Sequence, residues 1–292
     1  MKKVLVAGAT GYLGKYLLKE LKNKGYHTIA LARNAKRLKG ITVDRIIESE
    51  VTRPETLEGV CDGVDDVIST VGITHQKDGL TYMDVDYQAN MNLLFEALNS
   101  GVSKFMYVSV LNGQYMKDLK MVEAKEHFVD GLKASGMDYC IIRPNGFFSD
   151  LTEVLNMAKK GAVHLFGNGE YRTNPIHGAD LAEYMVDHLE YDERELEVGG
   201  PDLMTQNEIA DVAFKAAGKT LKISHLPIWI RDISLWLTRL FTGQRTYGPM
   251  EFFMTVMTRD MVAPKTGHQH LINYYYFKMD QERVNKLNLQ VG

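Results

Sequence analysis

The sequence predicts an α/β fold, with a doubly wound parallel sheet, helices on both of its faces and a smaller C-terminal lobe. One observation is the opening at residues 4–14, where an apolar strand runs into a glycine-rich turn and then a helix. The other is an alternation of strand-like and helical stretches, which favours parallel strands joined by right-handed crossovers. The 292 residues, 45% of them hydrophobic, supply enough core for one large domain or two interleaved lobes.

Three glycines, Gly8, Gly11 and Gly14, recur every third residue between the first strand and the first helix. This spacing lets the backbone turn sharply, approach a pyrophosphate without an intervening Cβ, and bring the helix expected over 13–24 close to the sheet. The N-terminal amides and the dipole of that helix favour an anion. We therefore predict a dinucleotide-phosphate site rather than a turn that binds nothing. The predicted contact residues are Gly8, Thr10, Gly11, Tyr12, Leu13 and Gly14.

The end of the second strand, expected over 27–32, indicates which dinucleotide binds. An acidic residue about 20 positions beyond the glycines would accept hydrogen bonds from the ribose of NAD. The strand ends instead on Ala32 and Arg33, with Lys36 and Arg37 close behind. Guanidinium and ammonium groups suit a ribose 2′-phosphate, so we predict NADP(H), with NAD(H) less favoured and with Arg33 and Lys36 as contacts. The alternative is that these side chains form a solvated basic loop.

Further strands and helices follow in alternation. The expected strands lie at about 43–47, 66–71, 104–110 and 138–142, and the expected helices at about 54–60, 81–99 and 118–135. Thr81 with Asp84, and Thr205 with Glu208, have the spacing of capping boxes at helix starts. Gly218 stands where the helix that begins after Thr205 should end.

The alternation also suggests a domain organisation. The nucleotide-binding core is expected over 1–150, continued by about 178–200, and the smaller lobe over 151–177 and 201–292. The lobe should close the cleft and select the substrate. His177 is expected to be structural rather than a catalytic base, since no nucleophile or metal partner is evident nearby. The aromatic run at 274–277 would suit an adaptable apolar pocket, and a strand explains it equally well.

Charge and cysteine content exclude several classes of function. A formal charge of −3 and a pI near 6.3 offer no concentrated basic face for nucleic acid. Cys61 and Cys140 lack metal-ligand spacing, so we expect no metal site. The chain leads from Lys2 and Lys3 directly into a strand rather than into a signal peptide, which predicts a cytoplasmic protein.

Five motifs carry a family resemblance. They are GATGYLG at 8–14, VISTVG at 67–72, DYQANMNLL at 86–94, RPNGFFSD at 143–150 and NPIHGADLA at 174–182. Together they resemble the extended and atypical short-chain dehydrogenase/reductases, especially the NmrA-like branch with its divinyl-chlorophyllide reductase-like and complex I accessory subunit-like proteins. The resemblance implies a Rossmann fold that binds NAD(P), and it is less specific for any one reaction.

The resemblance also implies cofactor contacts beyond the glycine turn. Thr70, Val71 and Gly72, at the end of the fourth strand, should pass beneath the cofactor. The other implied contacts are Glu50 and Val51 near the adenine, Lys125 at the nicotinamide ribose and Pro144 near the nicotinamide.

The catalytic Tyr-x-x-x-Lys pair of the family aligns with Met121 and Lys125, so the lysine is present and the tyrosine is absent. In the family the lysine binds the ribose and lowers the pKa of the phenol, which transfers a proton, and methionine cannot do so. Asp86 aligns with the family's asparagine, and Ser109 with its serine or threonine. Tyr115, in the loop before the helix, is either a substitute phenol or a surface tyrosine. The candidate catalytic residues are Lys125, Tyr115 and Ser109.

Residues 226–241 allow several interpretations. Arg231, Ser234, Thr238 and Arg239 fall along one helical side, and the rest is apolar and aromatic. The segment is too short and too polar to span about 30 Å of hydrocarbon. We expect it to pack against the core of the lobe, with a membrane surface, a protein partner or a lid over a lipophilic pocket as alternatives.

Three functions fit these features. The first is an NADPH-dependent oxidoreductase that transfers hydride to an unknown small or lipophilic substrate, while water or the substrate supplies the proton. The second is an NmrA-like NADP(H) sensor or assembly factor without turnover, which the missing tyrosine favours. The third, a nucleotide-sugar epimerase or dehydratase, depends on the same missing phenol. Many relatives dimerise through the helices at 84–99 and 118–135, so monomer and homodimer both stay open.

Overall fold

The computed structural model describes residues 1–73 and 79–291. The strands in these ranges are β1 (Lys3–Ala7), β2 (His27–Ala32), β3 (Arg45–Glu48), β4 (Asp66–Ser69), β5 (Lys104–Val108), β6 (Asp138–Pro144), β7 (Val163–Phe166), β8 (Arg172–Thr173), β9 (Glu195–Val198), β10 (Met204–Thr205) and β11 (Ile223–Leu226). Seven of them form one parallel sheet in the order β3-β2-β1-β4-β5-β6-β9. The chain order reverses direction beside β1, so the carboxyl ends of β1 and β4 border a crevice.

Helices cover the sheet and build the lobe. They are α1 (Tyr12–Asn23), α2 (Asn90–Asn99), α3 (Lys120–Ala134), α4 (Thr152–Lys160), α5 (Gly178–Asp187), α6 (Gln206–Ala217), α7 (Ile228–Phe241), α8 (Gln244–Val256) and α9 (Leu271–Val291). A wider π-helical segment, Met83–Ala89, leads into α2. Among the described residues, no helix is both long enough and apolar enough to cross a membrane.

Alternate side chains of β1 enter two different cores. Leu5 and Ala7 belong to the core that α2 and α3 complete, whereas Val4 and Val6 belong to the core that α1 and α5 complete. Such alternation is the period-two pattern of a strand buried on both faces. The predicted doubly wound α/β fold is confirmed.

The smaller lobe has a separate core, built by side chains of α4, α6 and α9. Two buried amides join it to the sheet. Asn174 Nδ2 donates to the carbonyls of Gly200 and Ala263, at 3.2 and 2.8 Å. Asn145 Nδ2 donates to Asn174 Oδ1 at 3.0 Å. The amide network therefore connects the end of β6 to two chain segments, one at Gly200 and one at Ala263.

The aromatic run at 274–277 lies in α9, so the expectation of a strand is wrong. Leu271, Tyr274 and Tyr275 are buried in the core of the lobe. Their spacing of three and four residues is helical, and it outweighs the β-propensity of tyrosine and phenylalanine because burial follows one helical face.

The helix expected at 54–60 is reduced to a single 3₁₀ turn, Pro54–Thr56. Gly59 has a φ of 73°, in the left-handed region, so the backbone cannot continue a right-handed helix there. The capping box of Thr205 and Glu208 is confirmed, since each side chain accepts a hydrogen bond from the other residue's backbone amide.

Candidate active site

Two of the three turn glycines have no room for a side chain. Gly8 has a φ of 79°, and a Cβ built on it would lie 2.4 Å from Thr70 Oγ1. A Cβ on Gly14 would lie 2.3 Å from the carbonyl oxygen of Gly8. The Gly11 amide donates to that same carbonyl at 2.9 Å, which closes the turn. The residue type at these positions is therefore fixed by the close approach of β1, α1 and the end of β4.

The N-terminus of α1 is open toward this turn. Gly11 is the capping residue and supplies no side-chain hydrogen bond, and the first turn of α1 contains no acidic residue. Helix N-terminal amides without a capping side chain suit a phosphate. The geometry thus fits the pyrophosphate of a dinucleotide, with Thr10 and the backbone of Leu13 at the same turn.

Tyr12 has a different task from the glycines. Its phenol oxygen accepts a hydrogen bond from the Gly178 amide at 3.1 Å, and its ring packs edge-on against Tyr16 and Phe147. His177 caps α5 by accepting from the Ala179 amide at 3.2 Å. Burial lowers the pKa of His177, so the ring stays neutral, and the capping of α5 agrees with the structural role expected for it.

The adenosine end brings two of the expected cofactor contacts, Arg33 and Glu50, together. Arg33 follows β2, and its Nη1 lies 3.5 Å from Oε1 of Glu50, which follows β3. The end of β2 itself has no acidic residue, but parallel pairing brings the end of β3, and with it Glu50, alongside. Lys36 is exposed in the 3₁₀ turn Ala35–Leu38, which Asn34 caps. Cationic and acidic groups therefore both stand where a ribose would lie.

The floor of the crevice is formed where β4 ends. The Thr70 hydroxyl and amide both donate to the Ala7 carbonyl, at 3.2 and 3.0 Å. Val71 is buried, and Gly72 is exposed above it. A Cβ on Gly72 would lie 2.5 Å from Asp86 Oδ1 and 2.8 Å from Lys125 Nζ. Gly72 thus gives the crevice direct access to a buried ion pair.

The remaining implied contacts lie at strand ends of the same sheet edge. Val51 follows β3, and its carbonyl accepts from Asn92 Nδ2 at 3.0 Å. Pro144 closes β6, and its carbonyl accepts from the Leu111 amide at 3.0 Å. These hydrogen bonds hold the backbone on each side of the crevice.

Lys125 and Asp86 form the ion pair beneath Gly72. Lys125 Nζ lies 2.9 Å from Asp86 Oδ1, with side-chain exposures of 16% and 0%. Asp86 Oδ2 also accepts from the Ile73 amide at 3.2 Å. Burial alone would lower the pKa of the Lys125 ammonium, but the Asp86 carboxylate and the Tyr107 phenol together outweigh burial and raise it. Lys125 is therefore a permanent cation at the floor of the crevice.

Two buried phenols stand next to this pair. Lys125 Nζ lies 5.6 Å from the centroid of the Tyr107 ring. The oxygens of Tyr107 and Tyr82 are buried, and neither has a hydrogen-bond partner within the described parts of the chain. Burial raises the pKa of both phenols, that of Tyr82 to about 12. Both stay protonated and enclosed, so they support the site without reaching a substrate.

Met121 occupies an apolar cluster rather than a polar one. It is buried with Tyr82 and Ala124, and Ile73 and Phe252 pack against the three. A thioether transfers no proton, so the helix face that carries Lys125 presents an apolar wall one turn away.

Ser109 is engaged elsewhere. Its hydroxyl donates to Glu126 Oε1 at 2.7 Å. Glu126 also accepts two hydrogen bonds from Arg143, at 2.7 and 3.0 Å, and both residues are buried. Arg143 Nε donates further to Glu195 at 3.1 Å. The structure thus places Ser109 in a network that joins β5, α3, β6 and β9, and not in hydrogen-bond contact with Lys125.

Tyr115 ends the 3₁₀ turn Gly113–Tyr115 and is 78% exposed. Its phenol makes no hydrogen bond within the described residues, and the structure does not join it to Lys125 or Met121. Of the three candidate catalytic residues, only Lys125 therefore lies in contact with the floor of the crevice.

Asn90 contributes to the site, although the sequence indicated it only as part of the motif at 86–94 and not as a site residue. Its Oδ1 accepts from Ser69 Oγ at 2.5 Å, and its Nδ2 donates to the carbonyls of Val71 and Asp86, at 3.2 and 2.9 Å. It fastens the floor of the crevice to the segment that carries Asp86. The signal was an asparagine four residues after Asp86 in a buried helical pattern, where an amide needs partners.

Comparison with known proteins agrees with this geometry. A family model described as NAD(P)H-binding matches residues 8–192. A divinyl chlorophyllide a 8-vinyl-reductase of Cucumis sativus is 28% identical over 295 residues, covering 90% of this chain and 70% of that protein. The photosystem II assembly factor Ycf39 of Synechocystis is 26% identical over 256 residues, covering 84% and 76%.

A solved structure has the same fold at low identity. The NADPH-dependent quinone oxidoreductase QOR2 of Escherichia coli, in complex with NADPH, superimposes with a TM-score of 0.71 at 16% identity, covering 94% of this chain and 99% of that one. The family match includes the glycine turn, the floor of the crevice and Lys125. The chain therefore belongs to the NAD(P)H-binding family of atypical short-chain dehydrogenase/reductases, and its Rossmann domain binds NAD(P)H.

Proposed function

We propose that this protein is an NADP(H)-dependent oxidoreductase that transfers hydride to a small or lipophilic acceptor. The observation that carries the proposal is the Lys125 ammonium, held 2.9 Å from Asp86 directly beneath Gly72. A fixed cation at this point of the crevice suits the hydroxyls of a nicotinamide ribose. The ion pair joins two separate segments of the chain, and the Ile73 amide of a third donates to Asp86, so Lys125 is more than an exposed helical lysine.

Each part of the crevice has a role toward the cofactor. The amides at the start of α1 bind the phosphates, Arg33 binds the adenosine ribose substituent, and Lys125 orients the nicotinamide ribose. NADPH, when bound, supplies a hydride. Asp86 keeps the Lys125 ammonium charged and in one position.

The proton must come from outside the protein. Met121 replaces the phenol that would donate it, and Tyr82 and Tyr107 are enclosed. Hydride is added to carbon or oxygen of the acceptor, and the second hydrogen arrives as a proton from water. Acceptors that need no positioned acid, such as conjugated alkenes and quinones, fit this site best. The names of two similar proteins, a vinyl reductase and a quinone oxidoreductase, support this class.

The apolar surroundings favour a lipophilic acceptor. Met121 lies on the same face of α3 as Lys125, and Ile73 and Phe252 from other segments pack against it in an apolar cluster. A polar sugar substrate would leave its hydroxyls without partners against such a wall. This argues against an epimerase or dehydratase of nucleotide sugars.

A second candidate is a cofactor sensor or assembly factor that binds NADP(H) without turnover. Met121 in place of the phenol supports it, as does the similarity to a photosystem II assembly factor. For either function we propose the cytoplasm as the site of action, although the plant reductase that resembles this chain is named as chloroplastic.

Turnover of NADPH tests the proposal. The purified protein would be mixed with NADPH and with quinones, enones or vinyl-substituted aromatics, and loss of the reduced nicotinamide followed by absorbance. We expect one of these classes to be reduced, and Lys125→Met to slow the reaction on the order of 100-fold, because the ribose loses its positioning cation. Lys120→Met is the matched control, since Lys120 is exposed on the same helix and pairs with the partly exposed Glu123 rather than with a residue of the crevice.

The outcomes separate the candidates. If calorimetry showed tight NADPH binding but no acceptor were reduced, the proposed oxidoreductase activity would be wrong and the cofactor sensor would be the favoured function. NAD⁺ retained through purification, with NADPH inactive, would favour an epimerase. An equal loss of rate in the Lys125 and Lys120 variants would mean that the ion pair has no specific role in the reaction.

A further inference from the structure

The helix α7 exposes an apolar stripe. No residue of α7 is buried. Both tryptophans of the chain lie on it, each 60% exposed. The large apolar side chains exposed on α7 are Trp229, Ile233, Trp236, Leu237, Leu240 and Phe241. Their spacing of three, four and seven residues places them on one side of the helix.

The polar side of α7 faces the protein. Arg231 Nη1 donates to Thr258 Oγ1, beyond the end of α8. Thr238 Oγ1 lies 3.8 Å from Met250 Sδ, and Arg239 Nη2 lies 3.2 Å from Glu251 Oε1 on α8. The sequence correctly predicted these polar residues along one side. The expectation that the apolar side packs against the core of the lobe is wrong, because that side faces solvent.

A surface helix in a globular protein usually buries its apolar face, whereas on α7 six large apolar side chains are exposed and Ile228, Ile230 and Leu235 are only half-buried. Six large apolar side chains in contact with water cost free energy unless another surface covers them. The helix does not need to turn over to be covered, since its polar contacts to α8 already fix its orientation.

Charge around the stripe distinguishes between the surfaces that could cover it. Residues 219–243 contain four basic residues and one acidic residue. Arg231 pairs with Asp232, and Arg239 pairs with Glu251 of α8, so the excess positive charge of this segment lies on Lys219 and Lys222. The whole chain, in contrast, has a formal charge of −3. A second copy of the chain would bring the same positive segment and repel it, whereas anionic lipid headgroups would attract it.

The side chains themselves also fit a lipid surface. Tryptophan concentrates at the boundary between headgroups and acyl chains, where its ring is apolar and its N–H finds a partner. A helix of 14 residues is about 21 Å long and cannot cross a bilayer. It can lie in the plane of the headgroups with its apolar side inserted.

We propose that α7 is a membrane-surface anchor, which inserts the stripe of Trp229, Ile233, Trp236, Leu237, Leu240 and Phe241 into an anionic lipid bilayer. The anchor is independent of the reaction proposed above. Its polar side stays attached to α8, so the rest of the protein keeps its structure when the lipid covers the stripe.

The two tryptophans make the test direct, because the chain has no others and both lie in the stripe. The full-length protein would be titrated with vesicles of phosphatidylglycerol and phosphatidylcholine, and with vesicles of phosphatidylcholine alone. We expect the tryptophan emission to shift to shorter wavelength, the protein to cosediment with the anionic vesicles, and lipids brominated in the acyl chain to quench the emission. Binding to phosphatidylcholine alone should be at least roughly tenfold weaker, since several basic residues lie near the surface.

The variant Ile233→Glu/Leu237→Glu tests the stripe. Both side chains are exposed, so the substitutions leave the fold and NADPH binding intact, while two carboxylates oppose insertion. We expect vesicle binding to fall at least roughly 100-fold, because each charge adds several kcal/mol to insertion. Phe95→Glu is the control, since Phe95 is a large exposed apolar residue on α2.

Three results would overturn the anchor. The first is no emission shift and no cosedimentation with anionic vesicles. The second is equal binding by the wild type and the α7 variant. The third is a dimer in lipid-free buffer, already with short-wavelength emission, that the α7 variant converts to a monomer, because a second copy would then be the partner.

Discussion

Arg33 and Glu50 are adjacent side chains with opposite preferences for the ribose of the cofactor. They approach from neighbouring strand ends, with 3.5 Å between Nη1 and Oε1. The guanidinium favours a 2′-phosphate, and the carboxylate favours a 2′-hydroxyl and repels a phosphate. The selectivity between NADP(H) and NAD(H) therefore depends on the pair, and each member should shift it in its own direction.

Replacing Arg33 tests the predicted preference for NADP(H). We expect Arg33→Ala to weaken NADPH binding roughly 10- to 100-fold, because a charge-assisted hydrogen bond contributes about 1.5–3 kcal/mol. NADH binding should change little, and Glu50→Gln should strengthen NADPH binding. Isothermal calorimetry measures each constant, with Lys39→Ala as a control at an exposed lysine of the same loop. An unchanged NADPH affinity in Arg33→Ala would mean that the basic loop is only solvated.

At the scale of single residues, the sequence predicts residues that belong to a local motif better than contacts between residues on different segments of the chain. Local spacing was enough to identify Gly8 and Gly14 as site residues, and alignment with a family motif was enough to identify Lys125. The contacts of Glu50 with Arg33 and of Ser109 with Glu126 join residues 17 positions apart, on different elements. Such contacts depend on strand order and on register, which residue types alone do not determine.

At the scale of elements, the unit formed by β1, the glycine turn and α1 determines the cofactor site. The carbonyl of Gly8 lies against the position that a Cβ on Gly14 would take. Helix and strand can meet this closely only without a side chain, and the same closeness directs the α1 amides into the crevice.

Gly14→Ala should separate the two elements. A Cβ 2.3 Å from a backbone oxygen forces α1 to shift, so we expect dinucleotide binding to fall beyond detection and the free energy of unfolding to drop by about 1–3 kcal/mol. Gly243→Ala is the control, because a Cβ there meets nothing within 4 Å and its φ is not in the left-handed region. Urea unfolding and calorimetry measure the two effects. Retained binding in Gly14→Ala would contradict the close packing.

Elements were predictable where their periodicity was regular. The parallel strands and α3 follow the expected order, and capping at Thr205 fixed the start of α6. The run at 274–277 has the β-propensity of a strand, but together with Leu271 it has the spacing of a buried helical face. The helical spacing determines the observed structure, and the prediction of a strand rested on the propensity alone. For α7 the pattern separated a polar side from an apolar side but did not show which of the two faces the protein. Helical periodicity alone does not tell which face of a helix is covered.

At the scale of the whole molecule, acid stability depends partly on how the edge of the sheet is fastened to α1. Asp44 lies between β2 and β3, and its Oδ1 accepts a hydrogen bond from Lys22 Nζ at 2.5 Å. Its Oδ2 accepts from the Thr28 amide at 2.9 Å. Together these donors lower the pKa of Asp44 to about 2, from a usual value of 3.8.

The sign of the pH effect follows from this lowered pKa. The unfolded chain binds the proton of Asp44 first as pH falls, so the stabilisation is complete above about pH 4 and is lost as pH decreases toward 2. We expect Asp44→Asn to be less stable than the wild type at neutral pH, and the two to converge toward pH 2. Urea unfolding at several pH values measures this, with Asp192→Asn as a control at an exposed carboxylate without an ion pair in the described chain. A constant difference at every pH would exclude the ionisation of Asp44 as the cause.

The ion pair beneath Gly72 has a consequence for how the rate of any reaction in this crevice varies with pH. A catalytic phenol at this position would make the rate change as the phenol ionises. Here Lys125 keeps its charge because Asp86 raises its pKa, and Met121 has nothing to ionise. The rate of such a reaction near neutral pH would thus be governed by the acceptor and the solvent, and would vary little over a broad range of pH.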